Sequence, residues 1–130
     1  MIESRWNADL LAKIFGVVFL AVGIAGFIPN PVVSASGFFL TNDPHNYVHV
    51  GTGVAFLLGA FIGAPVTTIR LIAIVYAVAA IVGFAFLDAE VVKYFDLNIA
   101  DRWLHAFLAI GLLLVGFLAP MEERLSHARM

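Results

Sequence analysis

Cysteine is absent from the 130-residue chain, which removes disulfides, thiolate metal sites and cysteine nucleophiles from consideration. Charge is scarce as well. Asp, Glu, Lys and Arg together make up 12% of the residues, too few to clothe a soluble domain of this size, in which most residues lie close to water. A net charge of −2 offers no basic patch for phosphates, so no nucleic-acid partner is expected. Also lacking are a Ser-His-acid order and a second carboxylate pair, the groupings an enzyme would need in the absence of a thiol. The chain is expected to be non-enzymatic. What fills it instead is apolar: 62% of the residues are hydrophobic, which places it in the membrane class.

Four apolar runs can be read directly, at about 10–28, 47–64, 69–87 and 103–119. Each is close to the ~20 residues that carry a helix across ~30 Å of hydrocarbon. Continuous apolarity, without alternation, disfavours a membrane β-barrel, and backbone groups in lipid must be bonded within their own segment. The expectation is an all-α membrane protein, a single four-transmembrane-helix bundle over residues 1–130. The first run is not expected to be a cleaved signal: it follows Glu3 and leads into Ile28, Pro29, Asn30 and Pro31 rather than a small-residue cleavage site.

Basic residues give the orientation. With the amino terminus cytoplasmic, that side carries Arg5, Lys13, Arg70, Arg124 and Arg129, against Lys93 and Arg102 opposite, so both termini are expected in the cytoplasm. The short link 65–68 then faces inward, and the longer links 29–46 and 88–102 face outward with Phe38, Phe39, Tyr94 and Phe95 along the interface. Trp6, Tyr47 and Trp103 stand where interfacial anchors belong.

The chain also repeats itself. Residues 14–27 (IFGVVFLAVGIAGF) align with 71–84 (LIAIVYAVAAIVGF), with Lys13 on Arg70 and Gly-Phe closing both. After a one-residue slip, Asn42 falls on Asn98 and His49 on His105. Greasy segments resemble one another cheaply, but polar landmarks recurring in order do not. Two parallel-repeated helical hairpins are expected, related by an axis along the membrane normal.

The segments VGIAGFIPN, HNYVHVGTGVAFLLGAF and LNIADRWLHAFLAIGLLLVGF resemble the bacterial four-helix membrane family catalogued as domain of unknown function 4383, over about 17–117. The family's motif residues fall on His45, Asn46, His49, Asn98, Asp101, Trp103, Leu104 and His105. The resemblance implies this architecture and a multi-pass place in the bacterial cytoplasmic (inner) membrane. It implies no chemistry.

Among the polar residues, Asn42 and Asp43 before Pro44, and Asn98 with Asp101, read as helix starts. The histidines admit three readings. His45 and His49 share a helical face four residues apart, and Asp101 and His105 repeat the spacing. Such imidazoles can fix packing by bonding across to a neighbouring helix. With Asp101, the same three could hold a transition metal, or His49 and His105 could ligate haem. They could also meet a small organic ligand, a lipid or a proton between the repeats. Gly51, Ala55, Gly59 and Gly63 recur every four residues and form an expected helix-packing stripe. Charge and proline are missing from the middle third of every run, which argues against a transporter path. The expectation on balance is a non-enzymatic accessory or self-associating subunit without a cofactor. Its partners would be the lipid bilayer, other membrane subunits or copies of itself, and haem or metal binding is the alternative.

Overall fold

The computed structural model describes residues 7–118. Arg5, Trp6, Arg124, Arg129 and the polar tail 122–130, with the end of the fourth apolar run, lie outside them. Each helix of the two hairpins begins where the chain supplies a cap or a proline. Asn7 accepts from the Leu10 amide at 3.1 Å and starts α1 (Ala8–Gly26). A link follows that holds two two-residue strands, β1 (Val33–Ser34) and β2 (Phe39–Leu40), paired in parallel with Val33 opposite Phe39. Asn30 closes this link: its amide donates to the carbonyls of Ala25, Ile28 and Val33, and its oxygen accepts from Val32 and Val33. Asn30 thus ties the start of the stretch 32–39 to the Ala25 carbonyl near the end of α1.

Asn42 accepts from the His45 amide at 3.1 Å, Pro44 fits the first turn, and α2 runs Asp43–Phe61. Gly63, at φ +77°, takes the left-handed conformation that reverses the chain after α2. Pro65, whose missing N–H costs nothing in a first turn, then opens α3 (Pro65–Ala85). The expected link 65–68 is therefore helix, and the turn lies just before it. A second link carries α4 (Glu90–Tyr94) and leads to α5 (Ile99–Leu118). Here Asn98 and Asp101 form a reciprocal capping box, each side chain accepting from the other's amide at 3.0 Å. Both α2 and α5 begin a turn before their apolar runs because the capped turn is polar.

The chain is mostly helical, and α1, α3 and α5 are long and apolar enough to cross a membrane. The expectation of four equally apolar spans is met by these three. α2 matches them in length, but Asp43, His45, Asn46, His49 and Thr52 dilute its apolarity. Val17, Leu71, Ile81 and Phe107 are each more than half exposed on helix surfaces, an arrangement suited to acyl chains and not to water.

α1 packs along α2 and α3 along α5, and the two hairpins share a core of Phe19, Phe56, Ile69, Tyr76 and Leu112 with small Ala12, Ala73 and Ala109 between them. The buried faces match in register. Ala12, Gly16, Phe19, Gly23 and Gly26 of α1 correspond, at one constant offset, to Ile69, Ala73, Tyr76, Ala80 and Gly83 of α3. Likewise His45, His49, Gly53, Phe56 and Ala60 of α2 correspond to Asp101, His105, Ala109, Leu112 and Gly116 of α5. The links are stitched crosswise: Asn42 donates to the Tyr94 carbonyl at 2.6 Å, and Asn98 donates to the Phe38 carbonyl at 2.9 Å. Each asparagine therefore caps its own helix and clamps the other hairpin's link. Asn98→Ala, which loses both contacts and leaves the Asp101 amide without its cap, is expected to cost about 2 kcal/mol, the upper end for a lost cap. Detergent-phase thermal unfolding against the parent would read it.

The expected packing stripe divides. Gly59 is buried against Thr68, whereas Gly51 faces open space, Ala55 is exposed and Gly63 belongs to the turn. The close approach is made by another face of α2, where a Cβ on Gly53 would stand 2.7 Å from the Gly16 carbonyl oxygen and the Leu20 nitrogen. α1 and α2 touch through backbone there.

Candidate metal centre

At the link end of the bundle, α2 and α5 bring three histidines together. The capped first turn of α2 sets His45 and His49 one above the other, ring centroids 4.5 Å apart, and His105 of α5 approaches His45 at 5.7 Å. All three are buried. One ligating nitrogen from each can be chosen so that the three lie within 4.8 Å of one another. A tetrahedral ion with bonds of about 2.0–2.1 Å to imidazole would draw them to roughly 3.3 Å, a change within reach of side-chain rotation.

Their polar atoms stand out. Both ring nitrogens of His45, Nδ1 of His49 and Nδ1 of His105 are buried and have no hydrogen-bond partner among the described residues. Backbone of Leu40 and Phe95 lies beside His45. A buried polar atom left unpaired costs about 1–3 kcal/mol, so four in one cluster are an expensive way merely to fill space. Imidazole nitrogens converging in an apolar surround are, however, a good donor set for zinc, copper, iron or nickel. A ligating imidazole usually hands its second N–H to a carbonyl, and the Leu40 and Phe95 backbone is placed to receive one from His45.

Asp101 stands apart from the expected four-residue set. It lies on the same face of α5 as His105 and is buried, but its carboxylate turns back to the Asn98 amide in the capping box and is not among the converging ligand atoms. Helix capping takes one of its two oxygens.

Two residues around the cluster escape a reading of motifs. Tyr76 of α3 packs edge-on against His105, ring centroids 5.6 Å apart, and its hydroxyl lies 3.3 Å from the Thr52 hydroxyl. Phe19 of α1, its counterpart at the constant offset, packs edge-on against both His49 and Tyr76. The one signal for Tyr76 was its hydroxyl within an otherwise apolar run, at the position that aligns with Phe19 of α1. Together these aromatic rings separate the imidazoles from the rest of the core. Tyr47 and Trp103, the expected anchors, are largely exposed at this same end, against Phe27 and Phe84 respectively.

The profile of the family described as Domain of unknown function (DUF4383) matches residues 10–118. No curated protein and no solved structure shows significant similarity to the chain.

Proposed function

The chain belongs to the DUF4383 family, and we propose that it is a multi-pass protein of the bacterial inner membrane that binds one transition-metal ion through His45, His49 and His105. The observation that carries this reading is the convergence of three buried imidazoles, four of whose nitrogens have no hydrogen-bond partner among the described residues. A single ion is favoured over haem because one nitrogen from each of three imidazoles converges within 4.8 Å, with the His45 ring packed against both others at 4.5 and 5.7 Å between centroids. Three protein ligands leave a fourth position open, as in sites that exchange water or substrate. Elemental analysis of protein purified in mild detergent without chelators is expected to find about one zinc, copper, iron or nickel per chain. Protein that retains none after incubation with each of these metals would overturn the proposal.

The ion site fits a chain in which α2 is a fourth span and the links lie outside. Its polarity is accounted for by a capped turn at the interface and by histidines facing the bundle interior, where intramembrane polar groups belong. The matched burial registers and the crosswise asparagines support two parallel copies of one hairpin. Lys13 and Arg70, at the ends of α1 and α3 away from the links, join Arg5, Arg124 and Arg129 in favouring cytoplasmic termini. Arg70 also donates to the Gly116 carbonyl at 2.7 Å, tying down the last turn of α5. The natural lack of cysteine makes the topology easy to test. In intact spheroplasts an impermeant maleimide is expected to label Asp88→Cys and to spare Thr67→Cys until the cells are lysed. The reverse pattern would invert the orientation.

A second reading, self-association or an accessory role in a larger assembly, has one specific feature in its favour. Gly51 and Ala55 present a small, unpacked surface on α2 against which another helix could lie closely. Cysteines at these two positions are expected to cross-link between chains in membranes if that face is used, and to remain uncross-linked if it faces lipid alone.

A further inference from the structure

We infer that the cavity between α1 and α5 beside the histidines is a binding site for a bilayer-resident molecule with a single phenolic ring, its hydroxyl held by the imidazoles of His49 and His105. The cavity is about 220 Å³ and takes its walls from both hairpins and the first link. Its lining is apolar and includes half-buried Val22 of α1, Leu108 of α5 and Phe39 of β2. The mouth is framed by Val18 and Leu104, both on exposed helix surface, so entry is sideways from the acyl chains. Polar side chains occur at one place alone, where His49, His105 and Asp101 line the cavity.

Each feature selects part of the ligand. An apolar cavity of roughly 150 Å³ accommodates a benzene ring, so this one has room for a substituted ring and not for a fused polycycle. A lipid-side mouth selects a molecule already dissolved in the bilayer. Asp101 gives one carboxylate oxygen to the Asn98 amide, and the two imidazoles supply the cavity's nitrogen donors and acceptors. A neutral imidazole offers one donor and one acceptor, and a hydroxyl can answer either. An unsubstituted hydrocarbon would fill the space and leave the imidazoles unpaired.

This inference goes beyond the ion, because an imidazole can bind a hydroxyl in metal-free protein, while a bound ion would present its open position to the same oxygen. The test is a titration of chelator-stripped protein in detergent with 4-fluorophenol and with fluorobenzene, read by fluorine NMR against empty micelles. The phenol is expected to bind saturably and about tenfold more tightly than fluorobenzene, the worth of one hydrogen bond. His105→Phe is expected to erase that difference. Val22→Trp, which fills the cavity, and Val18→Trp, which blocks an exposed mouth and does not burden the core, are both expected to abolish saturable binding. Failure of 4-fluorophenol to saturate the parent protein, or binding unchanged in the correctly folded Val18→Trp variant, would overturn the inference. Phenol binding by a protein that takes up no metal removes the ion and keeps the cavity; a loaded ion with no phenol binding does the opposite.

Discussion

His49→Ala is expected to lower the affinity for the bound ion by more than about 100-fold, since even outer-shell partners of metal ligands are worth 10–100-fold. His49 is the histidine on which the site depends most, because it sits a turn deeper than His45 and faces the aromatic wall through Phe19. Two variants separate ligation from packing. Asp101→Asn keeps a side chain that can accept from the Asn98 amide, and it is expected to cost no more than about tenfold in affinity, the lower end for a group outside the ligand set. His45→Leu in metal-free protein is expected to match or exceed the parent's stability by up to about 1 kcal/mol, because two unpaired buried nitrogens leave with the ring. Were the imidazoles merely packing groups with satisfied partners, the same change would destabilise. Competition titration with a metal-sensitive dye measures the first two, and detergent-phase unfolding the third. Ion binding itself is expected to stabilise the parent by about 2.7 kcal/mol at a hundredfold excess over Kd, and His49→Ala is expected to lose that gain. Only the neutral imidazole ligates, so acid is expected to release the ion.

The second large effect is steric. Gly53→Ala is expected to cost about 1–3 kcal/mol, while Gly51→Ala, two residues earlier in the same helix, stays within about 0.5 kcal/mol. A Cβ at Gly53 meets the Gly16 carbonyl oxygen and the Leu20 nitrogen, both at 2.7 Å, and backbone atoms of a packed helix cannot swing aside as a side chain can. A Cβ at Gly51 meets nothing within 4 Å. Unfolding in mixed micelles with rising dodecyl sulfate, followed by circular dichroism, compares the two. Equal costs would mean that α1 and α2 do not pack through Gly16 and Gly53.

Much of this was legible before any coordinates. The caps at Asn42 and Asn98 mark the starts of α2 and α5, because a side-chain oxygen followed by helix formers is a local signal. The helical spacing set His45 and His49 on one face and put His49 and His105 at similar depth, and the meeting of the three is a tertiary outcome. The face through which α2 meets α1 lies off the expected stripe. Small residues at Gly51, Ala55, Gly59 and Gly63 form as regular a pattern as any, yet only Gly59 is enclosed, and Gly53 falls outside the pattern. A helix with small residues on several faces does not say which of them its neighbour will choose.

Asp101 teaches the same lesson. Spacing places it below His105 as surely as it places His45 below His49, and only the finished capping box shows one of its oxygens given to the Asn98 amide. By itself the sequence determined what short-range physics and the solvent dictate: helices, their capped starts, an apolar exterior, and a second copy of the first hairpin's landmarks. The tertiary structure alone decided which face of each helix turns inward. It thereby brought His105 to His45, put Tyr76 behind them and opened a cavity toward lipid at Val18 and Leu104. Those outcomes depend on side-chain volumes meeting across separate helices, and no residue's own neighbours in the chain record them.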